Sequence, residues 1–532
     1  MSRARKNRKR TRTKQPQQQQ AQRRWTENLN PSRYALVAVL LGVAVYRLVM
    51  LAGEAAPPGA DPGNWLAYTH GLFDTSVKAA ESMYFPVTLI VLKALLVFLP
   101  PLMAAKVLGV GASVAVAVPF YLILRRGCSP LLAAGLTLAF VLAGYQQETL
   151  SFGGYPQLLA TAFLLLTVYW LMDGLISGRR RPLLLAAAST ALIAGTHHFT
   201  LALLALTVSI LALALVVQER PSMGPFLRNA GTWMVAAALF SLPFLPWYVR
   251  FFTLVDGNPA NALGFTLMNI DGVISYVFEN NEVFWTALLI IAPILSLLPF
   301  FGRRAAEIRP AALALLAGPL LAFALTNEVR SFQLIQAGVV LSLGLPVAAI
   351  EQHLAQTELR VAVRQLERLS LALGAATILI IVGGSGHQRF TETIARYQIV
   401  DDSALEALNW LHERSPPGAI VMANDSPTRV SYAWWVEGYA ERPTYSLIEP
   451  AFLSFAEEKE QAALARRLLE QDTSPAEVQS LLERTGINYI FLDKRTGGRF
   501  RPLLSKALFY ISLENEHFAI LRYPGARVEA NR

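Results

Sequence analysis

The sequence predicts a polytopic α-helical membrane protein of about 11 transmembrane helices, N-terminus inside and C-terminus outside, ending in an extracytoplasmic α/β domain. Three observations carry that expectation. Only 16% of the 532 residues are charged and 54% are hydrophobic, whereas soluble domains carry about 25% charged residues. Apolar segments of near-transmembrane length recur between residues 33 and 386. From about Asp401 the composition turns to that of a soluble domain.

The chain divides accordingly into a basic tail (1–30), a transmembrane domain (31–390) whose first outer loop covers 53–100, and a soluble domain (391–532). The formal net charge of +10 is concentrated in the tail, where Arg3, Arg5, Lys6, Arg8, Lys9, Arg10, Arg12 and Lys14 precede the run Gln17 to Gln20. So polar a segment cannot build a core and is expected to be disordered. It reads as a cytoplasmic anchor that sets topology and touches anionic lipid, in preference to a nucleic-acid-binding arm. The apolar segment after it is full length and lacks a small-residue cleavage site, which argues against a cleaved signal peptide. The single cysteine, Cys128, excludes a disulfide framework and a cysteine metal cluster.

Candidate crossings lie at about 33–52, 101–124, 130–146, 156–174, 182–197, 199–217, 230–252, 284–301, 310–326, 332–350 and 370–386. Phe85 to Leu99 is the ambiguous stretch, being short, interrupted by Lys93 and closed by Pro100-Pro101. The arginines decide its role. If it lies along the outer surface, the loops with Arg125-Arg126, Arg179 to Arg181, Arg220 to Arg228, Arg303 to Arg309 and Arg360 to Arg368 all fall inside, as the positive-inside rule requires. Counting it as a crossing would place them all outside.

In the C-terminal region, Asp401-Asp402-Ser403 caps a helix over Ala404 to Arg414, which stops at Ser415-Pro416-Pro417-Gly418. Ala419 to Ala423 and Ile487 to Leu492 read as strands, 457–471 and Pro475 to Thr485 as helices, and Phe518 to Tyr523 as a last edge strand. Alternating strands and helices imply a small covered sheet.

Ionisable residues at membrane helix ends are candidate functional groups because they are costly there. Asp61, in Asp61-Pro62-Gly63-Asn64-Trp65, leads the set: the proline extends the aspartate backbone and the glycine relieves the turn. A helix cap is the alternative reading. Glu148 precedes Gly153-Gly154-Tyr155, whose glycines admit close approach of a ligand. His197 and His198 sit at an outer helix end and suit metal, phosphate or proton transfer; hairpin polarity is the alternative. Arg330 suits phosphate and Glu328 lies two residues before it, an arrangement that also reads as a local salt bridge. Trp434, Trp435 and Glu437 suit a sugar or peptide, or else an edge buried against the membrane domain. Asp61, Glu148 and His198 would suit a divalent ion such as Mg²⁺ or Mn²⁺.

On these residues the chain resembles the GT-C superfamily of polytopic glycosyltransferases that use lipid-linked donors. Asp61-Pro62 in the first outer loop is similar to the family's acidic motif, and Glu148 is the nearest counterpart to acids in the second outer loop. Trp434-Trp435-Val436-Glu437-Gly438-Tyr439 resembles the Trp-Trp-Asp-Tyr-Gly signature of oligosaccharyltransferases, departing from it at the acid and its spacing. The resemblance implies an enzyme of the cytoplasmic membrane, working on its outer face. It would take sugar from a polyprenyl-phosphate-linked donor to a glycan, lipid or protein acceptor, with no nucleic acid involved. Asp61 and Glu148 would be catalytic; Tyr155, His197, His198, Glu328, Arg330, Trp434, Trp435 and Glu437 would bind substrate. A transporter or flippase of a lipid-linked saccharide, or a non-catalytic envelope-assembly protein, are the other readings. Transporters place polar groups near the bilayer midplane, whereas here they gather at outer ends.

Overall fold

A computed structural model describes residues 34–72, 84–254, 283–298, 302–326, 328–356, 384, 387–428, 430–446, 456–469, 473–496 and 508–525. The basic tail, most of the 252–284 loop and nearly all of the 370–386 crossing lie outside the described residues.

The membrane part begins with α1 (Ala35–Ala52), followed by α2 (Asp61–His70) and α3 (Pro86–Leu96). Helices α4 (Pro101–Ala115) and α5 (Ala117–Leu124) run as one span, while α6 (Pro130–Val141) and α7 (Gly144–Phe152) are bent by 49° at their junction. There follow α8 (Tyr155–Ser177), α9 (Arg180–Ala194), α10 (His198–Glu219), α11 (Met223–Ser241), α12 (Leu245–Leu254), α13 (Val283–Leu297), α14 (Gly302–Ala306), α15 (Arg309–Thr326) and α16 (Phe332–Gln356).

Among the described residues, seven helices are long and apolar enough to cross a membrane, or eight with the bent pair. This is fewer than the eleven crossings expected. Helices α9 and α13 have 15 residues each, about 22 Å of helix against a hydrocarbon core of about 30 Å. Helix α3 has 11 residues and is too short to cross. Its exposed Ile90 and Val91, and Val97 and Phe98 just beyond it, suit a helix lying in an apolar interface.

The C-terminal part is α17 (Asp402–Arg414), β1 (Ile420–Ala423), α18 (Ala433–Gly438), β2 (Thr444–Ser446), α19 (Ala456–Leu469), α20 (Pro475–Thr485), β3 (Ile487–Asp493), β4 (Tyr510–Glu514) and β5 (Phe518–Arg522). Asp401 caps α17 by accepting from the Ala404 amide at 2.8 Å, and Ser474 caps α20 in the same way. The sheet order is β2-β1-β3-β5-β4. Strands β1, β2 and β3 are parallel, and β5 runs antiparallel between β3 and β4. The expected edge strand is therefore an inner one: β4, with Tyr510 and Ile511 exposed, takes the edge.

One apolar core passes through both parts. Leu51, Trp65, Leu66, Leu89, Leu108 and Leu150 pack in a single cluster with Val421, Tyr432, Trp435, Phe491 and Phe518. The sheet's opposite face has its own cluster, in which Leu468, Val478 and Leu482 cover Met422, Ile490 and Leu521.

The seam between the parts is glycine-lined. A Cβ on Gly438 of α18 would lie 1.9 Å from the Gly63 carbonyl oxygen of α2, and one on Gly63 would lie 2.8 Å from the Trp434 oxygen. The Trp435 indole, fully buried, donates to the Gly59 carbonyl at 2.9 Å. Replacing Gly438 with Ala should therefore force the helices apart. The expected result is a loss of about 1–3 kcal/mol, read as a fall in Tm of the detergent-solubilised protein, while Gly231→Ala, with open space around it, should leave Tm unchanged.

Candidate active site

Asp61 is the first residue of α2 and does not cap it. The N-cap is Ala60 and no side chain serves the cap, with Pro62 in the first turn, where its missing N–H costs nothing. The helix-cap alternative is thereby removed, and the carboxylate is left with the positive end of α2 behind it. Its backbone is held from several sides. Gly59, at φ +93°, donates to the Tyr397 carbonyl at 2.9 Å, and a Cβ there would meet the Phe152 oxygen at 2.2 Å. At the turn between α7 and α8, a Cβ on Gly153 would meet Pro62 Cδ at 2.4 Å and Asp61 Cβ at 2.9 Å. The Trp65 indole donates to the Gly153 carbonyl at 2.7 Å.

The charge that acts on Asp61 is Arg330, in the short turn Val329–Ser331 between α15 and α16. Burial pushes the Asp61 carboxyl up to about 6, and Arg330 opposes the shift. Arg330 also acts on His197 and Tyr84. Its Nε pairs with Glu328 at 3.2 Å, and nearly half of its side chain remains exposed.

His197 caps α10: its Nδ1 accepts from the Thr200 amide at 3.3 Å and meets the Thr200 hydroxyl at 2.9 Å. Burial, with the nearby His198 and Arg330 charges, holds its pKa well below the usual value, so it is a neutral acceptor at pH 7. The His198 ring lies 5.5 Å from that of His197 and 5.6 Å from Phe85. Tyr155, first residue of α8, is fully buried within the electrostatic reach of Asp61, its ring against Gly109 of α4.

The structure gives three of the candidate side chains structural contacts. Glu148 pairs with Arg389 at 3.2 Å, in a helical stretch over 387–397, and Ser151 beside it meets Thr393 at 2.9 Å. Glu148 thus docks the segment that leads out of the membrane part. Trp435 is buried as a core residue, leaving only Trp434 partly exposed, because α18 turns its tryptophan face onto α2. Glu437 accepts from the Thr444 amide and hydroxyl, at 3.2 and 2.6 Å, bracing β2. As for a metal, among the described residues no three His, Cys, Asp or Glu side chains gather as a ligand set. Asp61, Glu148 and His198 do not fit one.

Sequence reasoning missed Tyr84. Burial chiefly raises its phenol pKa; Arg330 opposes, and Asp61 and Tyr68 add to the rise. It packs 4.5 Å from Trp65 and stacks on Tyr68 at 5.9 Å, and the signal for it was the aromatic spacing Trp65, Tyr68, Tyr84. Arg47 was missed too: it is fully buried in α1 and donates to the Val141 carbonyl and to Gln147.

The fold is similar to those of several solved structures, an oligosaccharyltransferase and an arabinofuranosyltransferase among them. No family profile and no curated protein matches the chain; the likeness comes from solved structures. The oligosaccharyltransferase of Archaeoglobus fulgidus in its apo form is 12% identical with a TM-score of 0.57, over 89% of this chain and 71% of that one. ArnT from Cupriavidus metallidurans, bound to undecaprenyl phosphate, is 14% identical with a TM-score of 0.54, over 91% and 97%. The mycobacterial arabinofuranosyltransferase AftD is 16% identical with a TM-score of 0.58, over 92% of this chain and 41% of that one.

Asp61 also makes a prediction about stability. Its folded pKa, about 6, exceeds the unfolded value of about 3.9. The group's stabilising contribution is therefore full below pH 4 and is lost as pH rises through 6. Asp61→Asn should raise stability at pH 7 by about 1–2 kcal/mol, less than the full shift because the carboxyl keeps some exposure. Thermal melts of both proteins between pH 4 and 7 would show the gap opening as pH rises.

Proposed function

We propose that the chain is a membrane glycosyltransferase that moves a sugar from a polyprenyl-phosphate-linked donor to an acceptor on the outer face of the cytoplasmic membrane. The observation that carries this reading is a poorly solvated carboxylate, Asp61, that caps nothing and lies within the electrostatic reach of a half-exposed arginine, Arg330, in a fold similar to those of solved glycosyltransferases. The solved neighbours support the substrate class. ArnT was captured with undecaprenyl phosphate, and the archaeal enzyme AglB with an inhibitory peptide and a dolichol-phosphate.

The chemistry follows from the pair. The bond between the anomeric carbon and the donor phosphate breaks, a bond from that carbon to the acceptor heteroatom forms, and the acceptor's proton must leave. Asp61, ionised at pH 7 with its pKa near 6, polarises the acceptor or takes that proton. Arg330 offers N–H donors to the departing lipid phosphate, whose charge grows in the transition state. Neutral His197 lies within the electrostatic reach of Arg330, Trp65, Tyr68 and Tyr84 pack together beside Asp61 on α2, and Trp434, partly exposed on α18, is available to an acceptor or sugar. A lipid donor accounts for a site built at the end of membrane helices, with the C-terminal α/β part outside.

The test is transfer in nanodiscs from radiolabelled polyprenyl-phosphate pentoses, hexoses and aminosugars to endogenous envelope glycans, lipids and proteins. Asp61→Asn is expected to lower turnover at least 100-fold, of the order of losing one transition-state contact, while the protein stays folded. Undiminished transfer by Asp61→Asn would overturn the assignment.

A further inference from the structure

Two adjacent glutamines on α7, Gln146 and Gln147, are fully buried and meet different neighbours. Gln147 accepts from the Arg47 guanidinium of α1 at 3.3 Å. The same guanidinium donates to the Val141 carbonyl in the last turn of α6, a cation at the negative end of a helix and at the very break between α6 and α7. Gln146 accepts from Gln333 Nε2 of α16 at 2.9 Å. Gln333 Oε1 in turn accepts from Gln157 of α8 at 3.0 Å and from Thr161 at 3.1 Å. Gln157 Nε2 also reaches the carbonyl oxygen of Arg330, at 3.4 Å.

The other end of α7 is equally engaged. Its last turn leads to Gly153, which is pressed on Asp61 and Pro62 and accepts from Trp65. Helix α7 is therefore packed on Asp61 through its C-terminal turn and linked to the Arg330 backbone carbonyl through the amide chain Gln146–Gln333–Gln157. Hydrogen bonds among amides in an apolar surrounding are directional and costly to break.

We propose that Gln146 and Gln333 are positioning residues that set the separation between Asp61 and Arg330, with Arg47 and Gln147 anchoring α7 from the opposite side. This inference rests on the proposed transferase reading only for its consequence in catalysis; the separation itself is a property of the fold.

The test therefore has two arms. In a Cys128→Ser background, cysteines at positions 61 and 330 are joined by a short thiol cross-linker in detergent, and the yield is compared with that of the same protein carrying Gln146→Leu and Gln333→Leu. Removing both amide partners together avoids leaving one of them buried and unpaired toward the other. Gln333→Asn, which keeps an amide but shortens its reach by one methylene, is run beside it in case the double variant folds poorly. Both are expected to lower the yield. An unchanged yield overturns the proposal, whatever the activity.

In the second arm the substitutions are made in the native chain. Turnover of the polyprenyl-phosphate donor is expected to fall roughly 100-fold, as for a displacement of about 1 Å. The acidic limb of the pH profile should also move up, since Arg330, from the α15–α16 turn, opposes the rise that burial imposes on Asp61, while Tyr84, Tyr155 and Tyr397 are groups on which Asp61 itself acts. An unmoved pH limb overturns the positioning role. Failure of the unsubstituted protein to transfer any sugar would instead remove the transferase reading and leave the cross-linking result standing.

Discussion

Everything about the site depends on the close approach of α2 to α18. Two helices can come so near only where neither carries a side chain, and Gly63 and Gly438 supply that on both sides. The approach lets Trp435 reach the Gly59 carbonyl and drop its ring into the core that unites the membrane and C-terminal parts. On its far side α2 rests on the Gly153 turn. The helix that carries Asp61 is thus held between two glycine-lined surfaces, and its carboxylate has little freedom to move away from its unfavourable surroundings.

That rigidity explains how an unfavourable electrostatic arrangement persists. Burial makes ionisation of Asp61 costly, and the α2 dipole and Arg330 relieve only part of the cost. A freer side chain would turn to water. The packing of Trp65, Trp435 and Gly153 stabilises the helix by other means, so that strain at one carboxylate is tolerated. In the membrane part the polar work is done mostly by neutral amides, which can be satisfied in pairs without the desolvation penalty of ions. Arg47 is an exception, and it meets helix-end and amide oxygens.

Legibility from the sequence followed the range of the interactions. Apolar runs and helix starts are local, so most membrane helices, the caps at Asp401 and Ser474 and the helix at Pro475 could be read directly. Asp61 drew notice because Asp before Pro-Gly is unusual in an apolar chain. The tryptophan pair was not, since two tryptophans look alike in sequence whether they stack on a ligand or fill a core; only α2 packing on α18 separates them. Glu148 stands in a polar run that suggested chemistry, yet its partner Arg389 lies 241 residues away. Arg47 was hidden within an apolar helix, where one charge does not disturb the average. Strand β5 was assigned an edge because pairing order is a non-local property, settled by β4 joining it from outside.

The hydrogen bond between Trp435 and Gly59 spans 376 residues of chain, and this has a temporal meaning. A ribosome releases the acidic loop well before the segment that seals it, 376 residues later. Until then the loop has one of its two walls, and the apolar surfaces that Trp65 and Leu66 bury in the shared core are incompletely covered. Pairings so distant close late, after the helices beneath them have inserted. The aspartate is therefore shielded only after the α18 segment has been made, so insertion of the helices beneath it can precede the closing of its surroundings.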